Sequence, residues 1–274
     1  MSSTAKSTPT PASAGKKQYP PQKPKTVIPK RQVRILMLHG YTQSGPLFRA
    51  KTRAVEKLLA KTLAPLNLVP TLIYPTGPSH LSPGDVPGFV PSSQDAPGAE
   101  TDAWAWFRLD DGRGTYNRLD EGMRTLAAAM AEVTAGGEVV DGVVGFSQGA
   151  AMASMLASAM DPDRGIGAEE DEGWVEAVRE ANGGKPFKFA ALYSGFYAVP
   201  ERLQWLYEPK VRTPTLHFLG SLDTVVDESR TRGLVDRCQD PLVIVHPGGH
   251  YVPVNREWVM PLAGFVRKCL EEKA

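Results

Sequence analysis

Short apolar runs alternate along this chain with longer segments whose apolar residues recur at helical spacing. Val33 to Leu38 is apolar except at Arg34 and runs into His39-Gly40, which reads as a buried strand. Leu72-Ile73-Tyr74 before Pro75, Val139 to Phe146, Phe189 to Tyr193, Thr215 to Leu219 and Leu242 to Val245 complete the strand set. Residues 47–63 place Phe48, Val55, Leu58, Leu59 and Leu63 near one helical face, and residues 116–133 do the same with Leu119, Met123, Leu126 and Met130. A helix of small residues is predicted from Ala150 to Met160, and two more near 229–237 and 255–271. Strands this short and apolar, separated by helices, predict a mostly parallel sheet with helices on both faces: an α/β fold. With no internal repeat in view, residues 31–274 are expected to form one domain.

Two segments break the pattern. Residues 1–30 carry six prolines among Ser, Thr and Lys, too little apolar surface to order a chain, so they read as a disordered basic tail. Residues 75–103 contain six prolines and four glycines without strand or helix period. So long a structureless connection is either functional or disordered. Trp104, Trp106 and Phe107 follow it at once, which makes this region a candidate border of a substrate pocket, with core packing as the ordinary alternative for such aromatics.

Charge narrows the function. The net charge is +1, but residues 1–31 hold seven basic side chains and no acid; removing those from 31 Lys and Arg leaves 24 basic against 30 acidic residues. A mildly acidic body is ill suited to phosphate backbones, so no nucleic acid is expected. No run of about 18 apolar residues is present for a membrane span, and no apolar secretory signal opens the chain. Two cysteines, Cys238 and Cys269, are too few for a disulfide framework. These features point to a reduced cytoplasmic protein, with the nucleus as the alternative.

Gly145-Phe146-Ser147-Gln148-Gly149 lies between a predicted strand and the small-residue helix. A strand-to-helix turn that tight holds a serine hydroxyl in a strained conformation above the sheet edge, and glycines two residues either side avoid the collision. Ser147 is therefore the candidate nucleophile, and a serine needs a base. In such folds an acid and then a histidine follow the serine in sequence, which removes His39 and His80. His217 lies inside a predicted strand and His246 ends the next, whereas His250 follows two glycines that free its loop to turn back. Asp223 follows the strand ending at Gly220 and is the candidate to orient His250; Asp227 is its rival, with helix capping as its other reading. Acyl transfer also requires oxyanion donors, for which the backbone N–H groups of Gln148 and of Tyr41, in the loop after the first strand, are chosen.

Leu38-His39-Gly40-Tyr41-Thr42-Gln43-Ser44, Gly145-Phe146-Ser147-Gln148-Gly149, Gly220-Ser221-Leu222-Asp223 and Gly248-Gly249-His250-Tyr251-Val252-Pro253 together resemble the FSH family of eukaryotic serine hydrolases, abundant in fungi. Tyr74 to Pro78 and Trp104 to Phe107 resemble its substrate-side segments, and the likeness spans about residues 32–268. The resemblance implies an α/β-hydrolase fold and an esterase or thioesterase working without metal or organic cofactor. It implies Ser147, Asp223 and His250 as triad, Tyr41 and Gln148 as oxyanion donors, and a small-molecule ester or thioester as substrate. Some fungal members release polyketide chains from a synthase, which leaves an acyl-carrier domain as a further partner. Trp104, Trp106, Phe107 and Tyr251 are the expected pocket residues. Residues 82–100 and the acidic segment Glu169-Glu170-Asp171-Glu172 look like insertions bordering that pocket. A lipase or peptidase on the same scaffold is the enzymatic rival, and a catalytically silent ligand-binding or scaffold protein the rival of another class.

Overall fold

A computed structural model describes residues 1, 2, 4, 30–88, 101–110 and 112–271. The proposed basic tail lies almost wholly outside the described residues, as does 89–100 of the Pro/Gly-rich segment. In chain order the described residues form β1 (Arg31–Leu38), α1 (Gly45–Leu63), β2 (Leu68–Ile73), the two-residue strands β3 (Ser79–His80) and β4 (Trp104–Ala105), β5 (Arg108–Asp110), β6 (Thr115–Asn117), α2 (Leu119–Thr134), β7 (Gly142–Phe146), α3 (Gln148–Ala159), α4 (Glu169–Ala181), β8 (Phe189–Tyr193), β9 (Thr215–Gly220), α5 (Glu228–Val235), β10 (Leu242–His246) and α6 (Arg256–Glu271).

Six of the strands make one sheet in the order β10-β9-β8-β7-β1-β2, and every neighbouring pair is parallel. This is the mostly parallel sheet that the strand-and-helix pattern predicts, in the α/β-hydrolase architecture that the resemblance implies. Alternate residues of β1 serve opposite layers, as the two-residue period of a strand demands. Val33, Ile35 and Met37 pack with α1 and α6, while Leu36 and Leu38 pack with α2, α3 and α4. β7, second-layered on both faces, is buried along its whole length. Each such Leu, Phe or Val removed from water contributes about 1.5–3 kcal/mol, so the strand leading to Ser147 is anchored at the centre of the sheet.

The chain lays β2 on one side of β1 and then returns to place β7 on the other. Strand order therefore reverses between β1 and β7, and their ends are level, with Leu38 opposite Gly145. A crevice opens outside the carboxyl ends of strands at such a reversal. The loops carrying Tyr41 and Ser147 both leave from it.

Several boundaries differ from the sequence reading, and the second strand, expected from Leu72 to Tyr74, runs instead from Leu68 to Ile73. The strand expected from Val139 starts only at Gly142, because Asp141 turns its carboxylate to the Arg34 N–H and the Lys188 ammonium. The helix expected from residue 116 starts at Leu119, after a hairpin of β5 and β6 and a left-handed Arg118 with φ 63°. The acidic run at 169–172 is no pocket insertion: it is the first turn of α4, where negative charge is favoured by the helix dipole. α4 packs on α2, and Asp171 accepts hydrogen bonds from the Trp174 indole and from Arg202. The described part of 75–103 is also not structureless. β3 pairs with β4, and Ser82 and Asp85 close a capped turn between their hydroxyl, carboxylate and backbone groups. No helix among the described residues is long and apolar enough to cross a membrane.

Candidate active site

Ser147 sits between β7 and α3 with φ 55° and ψ −119°, a conformation that costs a non-glycine residue on the order of 1–3 kcal/mol and persists only where its surroundings enforce it. Its N–H donates to the Tyr193 carbonyl at 2.8 Å. The flanking glycines are required by space. A Cβ on Gly145 would meet the Gly149 carbonyl oxygen at 2.2 Å, and one on Gly149 would meet the Leu38 carbonyl oxygen at 2.2 Å.

Three side chains widely separated in sequence meet at this turn. His250 Nε2 lies 2.9 Å from Ser147 Oγ, and His250 Nδ1 lies 2.8 Å from Asp223 Oδ2. Asp223 Oδ1 accepts the N–H groups of Val225 and Val226, each at 2.9 Å. Burial pushes the Asp223 pKa up, but the hydrogen bonds from His250 and these amides outweigh it and hold the carboxyl below its ordinary range. An ionised carboxylate only accepts, so Nδ1 carries the imidazole proton and Nε2 presents its lone pair to the serine. Asp227 lies elsewhere in role: it caps α5, accepting the Arg230 N–H at 3.0 Å. His217 and His246 are both buried, and neither reaches Ser147 among the hydrogen bonds of the described residues.

The Tyr41 and Gln148 N–H groups donate to no protein acceptor among the described residues. What holds the first of them was not visible in the sequence. His39 Nε2 accepts the Gly77 N–H at 2.9 Å, so its proton sits on Nδ1, which donates to the Gly40 carbonyl at 2.8 Å. Burial lowers the His39 pKa to about 4, which keeps that tautomer neutral. The Gly40 carbonyl also accepts the Gln43 N–H at 3.2 Å. In a planar trans peptide the carbonyl and the following N–H point opposite ways, so pinning Gly40 O aims Tyr41 N–H. Gly40 itself is needed for close approach: a Cβ there would meet the Phe146 ring at 2.9 Å and Ser147 Cβ at 3.4 Å. The turn is made instead by Thr42, with φ 67°.

Gln148 has a second task in its side chain. Its Oε1 accepts the Trp106 N–H and its Nε2 donates to the Phe107 carbonyl, both at 2.8 Å. Sequence spacing offered no hint of this bond across 42 positions.

Two cavities flank the Ser147–His250 pair. One, of about 340 Å³, is lined by Tyr41, Ser147 and Gln148 together with Phe107 and Phe196. The other, of about 300 Å³, lies against His250, Tyr251 and Val252, with Phe48 and Phe146 behind. Of the four expected pocket residues, Phe107 lines the first cavity and Tyr251 the second. Trp104 and Trp106 line neither. Trp106 is fully buried, its indole donating to the His39 carbonyl at 2.8 Å. Trp104 stands edge-on to His80, and its carbonyl accepts the Thr42 N–H at 3.0 Å. Both tryptophans brace the loop that carries Tyr41. The two cysteines are buried, and burial raises the Cys238 pKa to about 11, far from a reactive thiolate.

A family model described as Serine hydrolase (FSH1) matches residues 29–262. A Schizosaccharomyces pombe protein named dihydrofolate reductase is 33% identical over 227 residues, which is 81% of this chain and 44% of that protein. Family of serine hydrolases 2 of Saccharomyces cerevisiae is 33% identical over 243 residues, 86% of this chain and 96% of its own length. The chain thus spans less than half of the first relative and nearly all of the second. Among solved structures, acyl-protein thioesterase 2 of Zea mays superposes with a TM-score of 0.54 at 21% identity, covering 89% of this chain and 97% of that one; at that identity the likeness is one of fold.

Proposed function

The chain belongs to the FSH1 serine hydrolase family, and from that premise we propose that it hydrolyses a carboxylic ester or thioester through an acyl-enzyme on Ser147. The observation that carries this reading is the continuous chain of contacts from Asp223 through His250 to Ser147 Oγ, at 2.8 and 2.9 Å. His250 Nε2 takes the Ser147 proton as Oγ attacks the carbonyl carbon. The Tyr41 and Gln148 N–H groups receive the oxyanion, each such donor being worth about 3 kcal/mol in related chemistry. Asp223 holds the imidazolium that forms. Collapse of the tetrahedral intermediate breaks the bond to the leaving oxygen or sulfur, which takes the proton from His250. Water then repeats the sequence and frees the acid.

The two cavities divide the substrate between them. The leaving atom must come within reach of Nε2, so the alcohol or thiol half extends along the His250 side. The acyl half then occupies the cavity that holds Ser147 and the oxyanion donors. Release of an acyl or polyketide chain from a synthase carrier domain, in the cytoplasm, is the narrower form of the same chemistry. Hydrolysis of acyl-pantetheine thioesters tests it.

A fluorophosphonate probe is expected to label Ser147, and Ser147→Ala to lose both labelling and turnover of p-nitrophenyl esters. A folded wild-type protein that neither labels nor turns over a panel of esters and thioesters would instead be the silent binding or scaffold protein.

A further inference from the structure

The cavity assigned to the acyl half is apolar over much of its wall, with Phe107, Leu109, Phe196 and Val226, yet two arginines, Arg108 and Arg230, also line it, and no Asp or Glu among the described residues does. The two cations are not equivalent. Arg108 is tied to Asp85 in a close ion pair, so its charge is answered within the protein. Arg230 makes no ion pair among the described residues. Its guanidinium lies 4.7 Å from the centroid of the Phe196 ring, and its side chain makes one long hydrogen bond, 3.4 Å from Nη1 to the Val225 carbonyl. Asp227, on the same turn, uses Oδ1 to accept from the Ser229 hydroxyl and the Arg230 backbone N–H; its charge and that of Arg230 act on each other without closing to an ion pair.

A guanidinium stacked on an aromatic face loses water from that face and keeps its in-plane N–H donors for a planar anion. Tyr116 lines the same cavity. Its hydroxyl oxygen accepts the Val199 N–H at 3.5 Å, which leaves its own proton to donate, and the Arg230 charge is near enough to act on it. Guanidinium and phenol together make a fork for a carboxylate.

We infer that the acyl group this enzyme takes ends in a carboxylate: the substrate is a half-ester or half-thioester of a dicarboxylic acid, its free carboxylate held by Arg230 and Tyr116. This rests on the reading of Ser147 as nucleophile and of its cavity as the acyl site. The reaction consumes one water, breaks the bond to the alcohol or thiol, and releases the dicarboxylic acid. A neutral acyl chain would take water from the Arg230 guanidinium without offering it an acceptor.

The test compares mono-p-nitrophenyl esters of succinate through adipate with neutral p-nitrophenyl esters of matched length, at low salt, on the full chain. The best half-ester is expected to exceed its neutral match in kcat/KM by about 10-fold or more, mainly through KM, since a hydrogen bond to a charged group contributes a factor of about 10–100 and Arg230 is partly screened by solvent. Arg230→Gln should lower that ratio about 10-fold, Arg230→Glu should reverse it, and Arg230→Lys should keep part of it; circular dichroism checks each fold. A wild-type ratio at or below one for every length, or a ratio unmoved by Arg230→Gln, overturns the inference while leaving the ester hydrolase reading intact. A ratio that responds only when the carboxylate is placed on the alcohol half overturns it too. If Ser147 hydrolyses nothing, Ser147→Ala titrated calorimetrically with monomethyl glutarate decides: binding lost with Arg230→Gln supports the carboxylate site, and no binding, or binding that ignores Arg230, sinks it.

Discussion

Replacing Asp223 by asparagine separates the orientation of His250 from everything else this residue does. Oδ1 already accepts two backbone N–H groups, from Val225 and Val226. An asparagine can satisfy both only by turning its carbonyl oxygen to them, which points its NH2 at His250 Nδ1. Nδ1 must then accept, so the ring proton moves to Nε2 and faces Ser147 Oγ at 2.9 Å as a donor. The fold keeps its hydrogen bonds, and the base is gone. The expected cost is about 10⁴-fold in kcat, or about 5 kcal/mol of transition-state stabilisation. Asp227→Ala is the contrast: it removes the α5 cap, costs about 1 kcal/mol of stability, and should leave kcat within a few-fold. Both variants are assayed on a p-nitrophenyl ester at neutral pH, with denaturant melts alongside. If Asp223→Asn retains more than about a tenth of wild-type kcat, or Asp227→Ala falls as far, the reasoning about tautomer and acid is wrong.

Acid should weaken the fold through two histidines that stay neutral inside it. Burial lowers the pKa of His39 and of His217 to about 4, whereas in the unfolded chain each titrates near 6.5. The unfolded state therefore gains protons as pH falls from about 6.5 to about 4 while the native state does not, and stability drops through that window by about 3 kcal/mol per histidine. His217→Leu, close in volume, is expected to remove about 2 kcal/mol of the loss between pH 7 and pH 5 in urea titrations; an unchanged loss refutes this. Gln148→Ala leaves the buried Trp106 N–H and Phe107 carbonyl without partners, for about 3 kcal/mol and a Tm lowered on the order of 10 °C. An unaltered melting curve would show that the side chain is not what holds that segment.

How much of this was written in the sequence depends on how local each signal is. β1, β7 and β8 are short apolar runs whose burial follows from composition, and α1 and α2 are amphipathic over four or more turns. The turn at Ser147 is legible because its glycines are dictated by contacts within five residues and with the adjacent β1. Chain order and loop composition then singled out His250 and Asp223, and the side chains do lie within hydrogen-bond reach of one another. His39, set aside as a base by its position, turned out to matter through Gly77, a contact 38 positions away. The same holds for the Gln148 side chain and for Trp106, whose bonds span 42 and 67 positions. α4 is not legible because its first turn is four acidic residues in a row, which read as an insertion bordering the pocket until the helix behind them supplies the compensating dipole.

The fork between Gln148 and residues 106–107 limits how this enzyme can change its diet. One amide grips both a donor and an acceptor of the neighbouring backbone, so the rim of the proposed acyl cavity is stitched to the turn that bears Ser147. Sliding that rim to admit a bulkier chain would pull on the very N–H proposed to receive the oxyanion. New preferences must therefore come from what projects off the stitched segment, Phe107 and Leu109 first, with its path left as it is.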